Sequence, residues 1–109
     1  MNLNLFEKTD PKVAFWKWFK KRESFIEKNF ESLKEQILDE ISDNLKKIDE
    51  NLAFEISHSK EGQRRKLIIS ADGMADSFHN VIDLCNMAPV LDGWIIIAFR
   101  PRMNSKNLG

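Results

Sequence analysis

Trp94-Ile95-Ile96-Ile97-Ala98-Phe99 is the most apolar run of the second half of the chain, and the fold class turns on it. It is too short for a buried helix and too rich in β-branched and aromatic residues for a loop, so it reads as a strand, and we expect it at the centre of a small sheet. Asp92-Gly93 announces it and Arg100-Pro101 stops it, because proline cannot donate to a strand ladder.

Working towards the N-terminus, Pro89 limits a helix, since the residue before a proline avoids helical angles. Phe78, Val81 or Ile82, and Cys85 share one face of that helix, and Asp76 or Ser77 is placed to cap it. Asp72-Gly73 ends a strand over Lys66 to Ala71. Before it, Leu52 to His58 alternates, with Phe54, Ile56 and His58 on one side and Ala53, Glu55 and Ser57 on the other. The polar stretch between the two strands predicts an antiparallel hairpin. The passage from the second strand through the helix to Trp94 is long enough for a parallel crossover, which is right-handed in nearly all known cases.

The first half of the chain is helical by pattern. Asp10-Pro11 is a helix start, with a capping carboxylate followed by a residue whose missing N–H costs nothing there. Phe15 and Phe19 are expected in the core, with Trp16 and Trp18 sealing its margins and Lys17, Lys20 and Lys21 opposite. Ser24 and Glu27 have capping-box spacing, so the helix is expected to break or bend near Arg22 and restart. Beyond that point Ile26, Phe30, Leu33, Ile37, Ile41, Leu45 and Ile48 step by three or four, predicting one long amphipathic helix to about Asp49.

The order is therefore α-β-β-α-β. It predicts a single α+β domain over residues 1–109, a two-layer sandwich with the helices on one face of a small mixed sheet and residues 103–109 as a polar tail. Were the Trp94 strand to lie at an edge, its unpaired amides would need a cover. Three are available: residues 2–6 as an extra N-terminal strand in a ferredoxin-like arrangement, a second copy of the chain in a homodimer through Trp94–Phe99, or insertion of this strand between the other two.

Composition narrows the function classes. The chain is 42% hydrophobic with eight Phe and three Trp, enough large side chains for a core without metal or disulfide. Its one cysteine, Cys85, allows neither an intramolecular disulfide nor a CxxC pair, which fits a reduced cytoplasmic setting. The N-terminus lacks the pattern of a secretory signal, and no apolar run approaches the length that spans a bilayer. Net charge is zero but unevenly spread, with six basic and two acidic side chains in residues 1–22 against five and eleven in residues 23–61. A nucleic-acid binder would show a net basic domain, so nucleic acid is not an expected partner.

Leu67-Ile-Ile-Ser-Ala-Asp-Gly73, followed by Phe78, Val81, Leu84, Ala88-Pro89, Gly93-Trp94 and Ala98-Phe-Arg-Pro-Arg102, together with Phe15-Trp-Lys-Trp-Phe19, resembles a pattern found in uncharacterised bacterial proteins. The resemblance covers most of residues 15–102. It implies a bacterial cytoplasmic origin and brings no activity with it.

Two surfaces are candidate sites. Glu23, Glu27, Glu31, Glu35, Asp39 and Asp43 are spaced by four and would form a continuous acidic ridge on the long helix. Each like-charged neighbour pair costs about 0.2–0.5 kcal/mol at low salt, so the five pairs cost roughly 1–2.5 kcal/mol. Such a ridge is expected either to meet a protein partner with a basic surface or to be a solvated face. The second surface is the end of the two parallel strands, where Asp72, Asp76, Arg100 and Arg102 are expected to hold a polar ligand or a magnesium ion, as in a small ligand-binding domain or enzyme, unless Asp72 simply pairs with Arg100 and Asp76 caps the helix. No catalytic set emerges. Cys85 and His79 lie six residues apart on a helix and face different ways, and with two histidines metal catalysis by imidazole is not expected. No cofactor is implied. Membrane attachment through Trp16 and Trp18 is the weakest of the readings.

Overall fold

The computed structural model describes residues 10–57, 64–71 and 74–99. Two helices, α1 (Pro11–Asn29) and α2 (Lys34–Lys46), precede a hairpin of β1 (Ala53–Ser57) and β2 (Arg65–Ser70). A 3-10 turn, Ala75–Ser77, leads into α3 (Phe78–Asn86), and β3 (Trp94–Ala98) follows. The fold is α+β, with three helices on a mixed three-stranded sheet among the described residues.

Local chemistry starts α1 where the sequence places it: Asp10 Oδ1 accepts from Lys12 N at 2.9 Å, and Pro11 fills the first helical position. The predicted break near Arg22 does not occur. The helix runs on through Ser24 and stops at Asn29, so the single long helix expected to reach Asp49 is two helices joined by residues 30–33. Side chains at the joint compete for backbone groups. Asn29 Nδ2 donates to Phe25 O at 3.0 Å and Ser32 Oγ to Asn29 O at 3.4 Å, while Leu33 departs from helical angles at φ −122° and ψ 35°. Arg22 then clasps Glu40 across the two helices, with Nη2 at 2.7 and 2.9 Å from the carboxylate oxygens and Nε at 3.2 Å.

The sheet order is β1-β2-β3. β1 pairs antiparallel with β2, with Phe54 opposite Ile69 and Ile56 opposite Leu67, as the hairpin requires. β3 joins β2 in parallel, Leu67 beside Ile96 and Ile69 beside Ala98, as the crossover requires. Among the described residues the Trp94 strand is therefore at an edge, and the strand with neighbours on both sides is Arg65–Ser70. The reason is geometric. A crossover returns β3 to a free side of the pair, and β2 already spends its other side on the hairpin. Insertion between β1 and β2 is excluded by the same ladder. Residues 2–6, and with them the extra strand, lie outside the described residues, as do His58 and the tail.

One face of the sheet meets the helices. Phe54, Ile56, Leu67, Ile69, Trp94, Ile96 and Ala98 pack into the core with Ile37, Ile41 and Leu45 of α2 and with Val81 and Leu84 of α3. Phe15 and Phe19 are fully buried as expected, but Trp16 belongs with them rather than at the margin: it is 4% exposed and its Nε1 donates to Leu84 O at 2.8 Å. Phe19 meets Trp94 edge to face at 5.2 Å, which ties α1 to the start of β3. The opposite face of the sheet carries Glu55, Lys66, Ile95 and Phe99, all exposed.

Candidate functional site

The acidic residues survive the change in helix count, but not as one ridge. Glu23 and Glu27 lie on α1, Glu31 in the connecting turn, and Glu35, Asp39 and Asp43 on α2. Only Glu23–Glu27, Glu35–Asp39 and Asp39–Asp43 remain neighbours one helical turn apart, so three of the five repulsive pairs persist and the cost falls to roughly 0.6–1.5 kcal/mol. Glu35 further gains from its place in the first turn of α2, where a carboxylate meets the positive end of the helix.

Glu27, Glu31, Glu35, Asp39 and Asp43 are all exposed. The ion pairs among the described residues are Lys12–Asp83, Lys20–Glu23 and Arg22–Glu40, none of which involves those five. On α2, then, Glu40 turns inward to an arginine, while the carboxylates at positions 35, 39 and 43 face solvent. Glu27 does something different. With Glu23 and Asp92 it lines an open groove of about 670 Å³ beside Gly93, and its carboxylate lies so near the glycine that a Cβ there would stand 3.2 Å from Glu27 Cδ. The basic side of α1 lies apart from this surface. Lys17, Lys20 and Lys21 flank a second groove, of about 630 Å³, whose apolar wall includes Val13, Met87 and Pro89, and Lys20 Nζ is bound to Val90 O at 3.0 Å.

Of the residues expected to form a polar site at the strand ends, Asp72, Arg100 and Arg102 lie outside the described residues. Asp76 is exposed in the 3-10 turn, where its carbonyl accepts from His79 Nδ1 at 2.9 Å, and neither it nor Ser77 caps α3 through its side chain. Cys85 lies half-buried on α3, and burial pushes its thiol up to about 11. Among the described residues no group of three or more His, Cys, Asp or Glu side chains is arranged to hold a metal ion. Of the two residues of the membrane reading, Trp16 is buried in the core and Trp18 is partly buried against it, and among the described residues no helix is long and apolar enough to cross a membrane.

A polar cluster that the sequence reading passed over joins the end of α2 to the start of α3. Asp49 accepts from Asn51 N and from Asn80 Nδ2, both at 2.9 Å, and Asn51 Nδ2 donates to Ser77 Oγ at 3.1 Å. The Asn51 amide, the Ser77 hydroxyl and the Asn80 amide hold the Asp49 carboxyl below its ordinary 3.8. The cluster contains a serine, an acid and a nearby histidine, but Ser77 is only 5% exposed and His79 Nδ1 is taken up by Asp76 O. It acts as a strut between two corners of the fold rather than as a nucleophile and base. The visible signal was the Asp-x-Asn spacing of an Asx turn at Asp49 and Asn51.

No family model matches the chain, and neither a curated protein nor a solved structure is significantly similar to it. The likeness to a bacterial sequence pattern thus gains no support from those comparisons.

Proposed function

We propose that the protein is a non-catalytic interaction or regulatory module of the bacterial cytoplasm, in which the carboxylates of Glu31, Glu35, Asp39 and Asp43, with Glu27 at the neighbouring groove, receive a protein partner with a basic surface. One observation supports this above the others. These five carboxylates are exposed and outside the ion pairs of the described residues, while Glu40, among them in sequence, is neutralised by Arg22. A row of like charges costs stability, and a complementary partner recovers that cost at the interface and steers the encounter.

The test is affinity capture from the source cell with the wild-type chain and with Glu35, Asp39 and Asp43 all changed to Lys, the fold of both verified by circular dichroism. The reading expects prey that is held by the wild type, lost by the reversed chain and released as salt rises, because exposed charges are screened within about 10 Å at 0.1 M salt. Prey retained equally by both chains, or indifferent to salt, would refute it.

A further inference from the structure

We propose that the protein forms a two-fold homodimer in which β3 pairs antiparallel with β3 of a second copy, centred on Ile96.

One row of β3 backbone groups has no partner strand among the described residues. Gly93 O accepts from Arg65 N and Phe99 N donates to Ile69 O, both at 2.9 Å, within a parallel register of Arg65 beside Trp94 and Ile69 beside Ala98. Backbone direction alternates along a strand, so Ile95 and Ile97 turn their N–H and C=O groups to β2, and Trp94, Ile96 and Ala98 turn theirs to the open edge. The Trp94 N–H is already engaged with Leu91 O at 3.3 Å. What remains free is self-complementary. About a two-fold axis at Ile96, the two Ile96 residues exchange N–H···O bonds, and the Ala98 N–H of each copy meets the Trp94 carbonyl of the other. Among the described residues nothing else pairs with this edge.

Side chains point to the same place. β3 carries no charge and no proline, so a second copy brings no like charges together, whereas the other edge of the sheet is guarded by exposed Glu55 at the centre of β1. On the outer face Ile95 is 38% exposed and Phe99 53%, beside Ile97 and its cross-strand neighbour Ile68. In the paired arrangement Ile95 stands opposite the partner's Ile97, and this apolar patch continues across a six-stranded sheet. A foreign strand could use the same edge, since every strand presents the same alternating donors and acceptors; a second copy also brings an uncharged strand whose exposed Ile95 meets the partner's Ile97 in one two-fold register. A five-residue pairing buries less than the roughly 1,200–2,000 Å² of a standard interface, so the dimer is expected to dissociate on dilution. The α2 carboxylates at positions 35, 39 and 43 lie on another element than β3, so either reading can fail without the other.

The experiment has two arms. Sedimentation or light scattering across a wide dilution series should show a mass moving from about twice the 12.8 kDa of the chain towards that of the monomer, with Ile95→Lys, at an exposed position that leaves the core intact, displaced to monomer. On a Cys85→Ala background, Ile95→Cys and Ile97→Cys chains are then oxidised separately and mixed. Facing residues at a non-hydrogen-bonded pair have Cα atoms about 4.5 Å apart, inside the disulfide range, while residue 95 of one copy stands diagonal to residue 95 of the other at about 7–8 Å. A cross-linked dimer that forms rapidly only in the mixture supports the proposed register. A chain that is monomeric at every concentration, or single variants that cross-link alone as fast as the mixture does, would overturn it.

Discussion

Removing one end of the Arg22–Glu40 pair tests the break in the helix directly. The two residues are 18 apart in sequence. At 1.5 Å per residue they would stand about 27 Å from each other on one continuous helix, out of reach of any side chain. They touch because the chain reverses at residues 30–33. The contact is bidentate and part-buried, with about 30% of each side chain exposed, and the guanidinium also lies 4.0 Å from the centre of the Phe25 ring. A fully exposed pair would contribute about 0.2–1 kcal/mol and a buried charged hydrogen bond about 1.5–3, so Glu40→Gln should cost about 1 kcal/mol. Arg22→Met should cost somewhat more, through the lost ring contact. In urea unfolding the double variant should then be more stable than the sum of the single losses predicts, by roughly 0.5–1.5 kcal/mol, and each single variant should melt roughly 4 °C lower. Strict additivity would mean that the two side chains do not meet, and the paired-helix arrangement would fall with them.

Two further outcomes follow from titrating groups. Because hydrogen bonds depress the Asp49 pKa in the folded state, its contribution to stability is present above the ordinary 3.8 and is lost as pH falls through the lower folded value. Wild type should therefore exceed Asp49→Asn in stability at neutral pH, the gap closing in acid; a gap that stays constant to low pH would contradict the network. Cys85, with its thiol at about 11 against an ordinary 9.0, presents about a hundredfold less thiolate than a free cysteine at neutral pH. Alkylation should be slow in the native protein and fast in denaturant, and equal rates in both would place the thiol in solvent.

How much of this was legible in the residues depends on how local the deciding force was. Asp10-Pro11 starts α1 by itself, alternation marks Phe54 and Ile56 for the core, and the distance from Ser70 to Trp94 leaves room for a parallel crossover. Each of these follows from geometry over a few residues or from the length of a connection. The acidic residues were legible as chemistry but misplaced as architecture. Their spacing of four promised one ridge, and the helical period of Ile26 to Ile48 passes through the joint without a fault. Only side-chain bonds at Asn29 and Ser32, together with an arginine 18 residues distant from its glutamate, divide it.

Strand order was likewise beyond the sequence. Trp94–Phe99 is apolar enough for an interior strand, and composition cannot tell a strand flanked by two neighbours from one flanked by a single neighbour. The tertiary structure decided that by spending one side of β2 on the hairpin and the other on β3, leaving Ile96 and Ala98 with backbone groups directed outward. The Asp49–Asn51–Ser77–Asn80 strut was hidden for the same reason, since it joins residues that become neighbours only after α3 has docked. Period, caps and turns are properties of adjacent residues, which one sequence displays in full. Which surfaces meet depends on the competition among all of them for the same core, and that is settled only when the chain closes on itself.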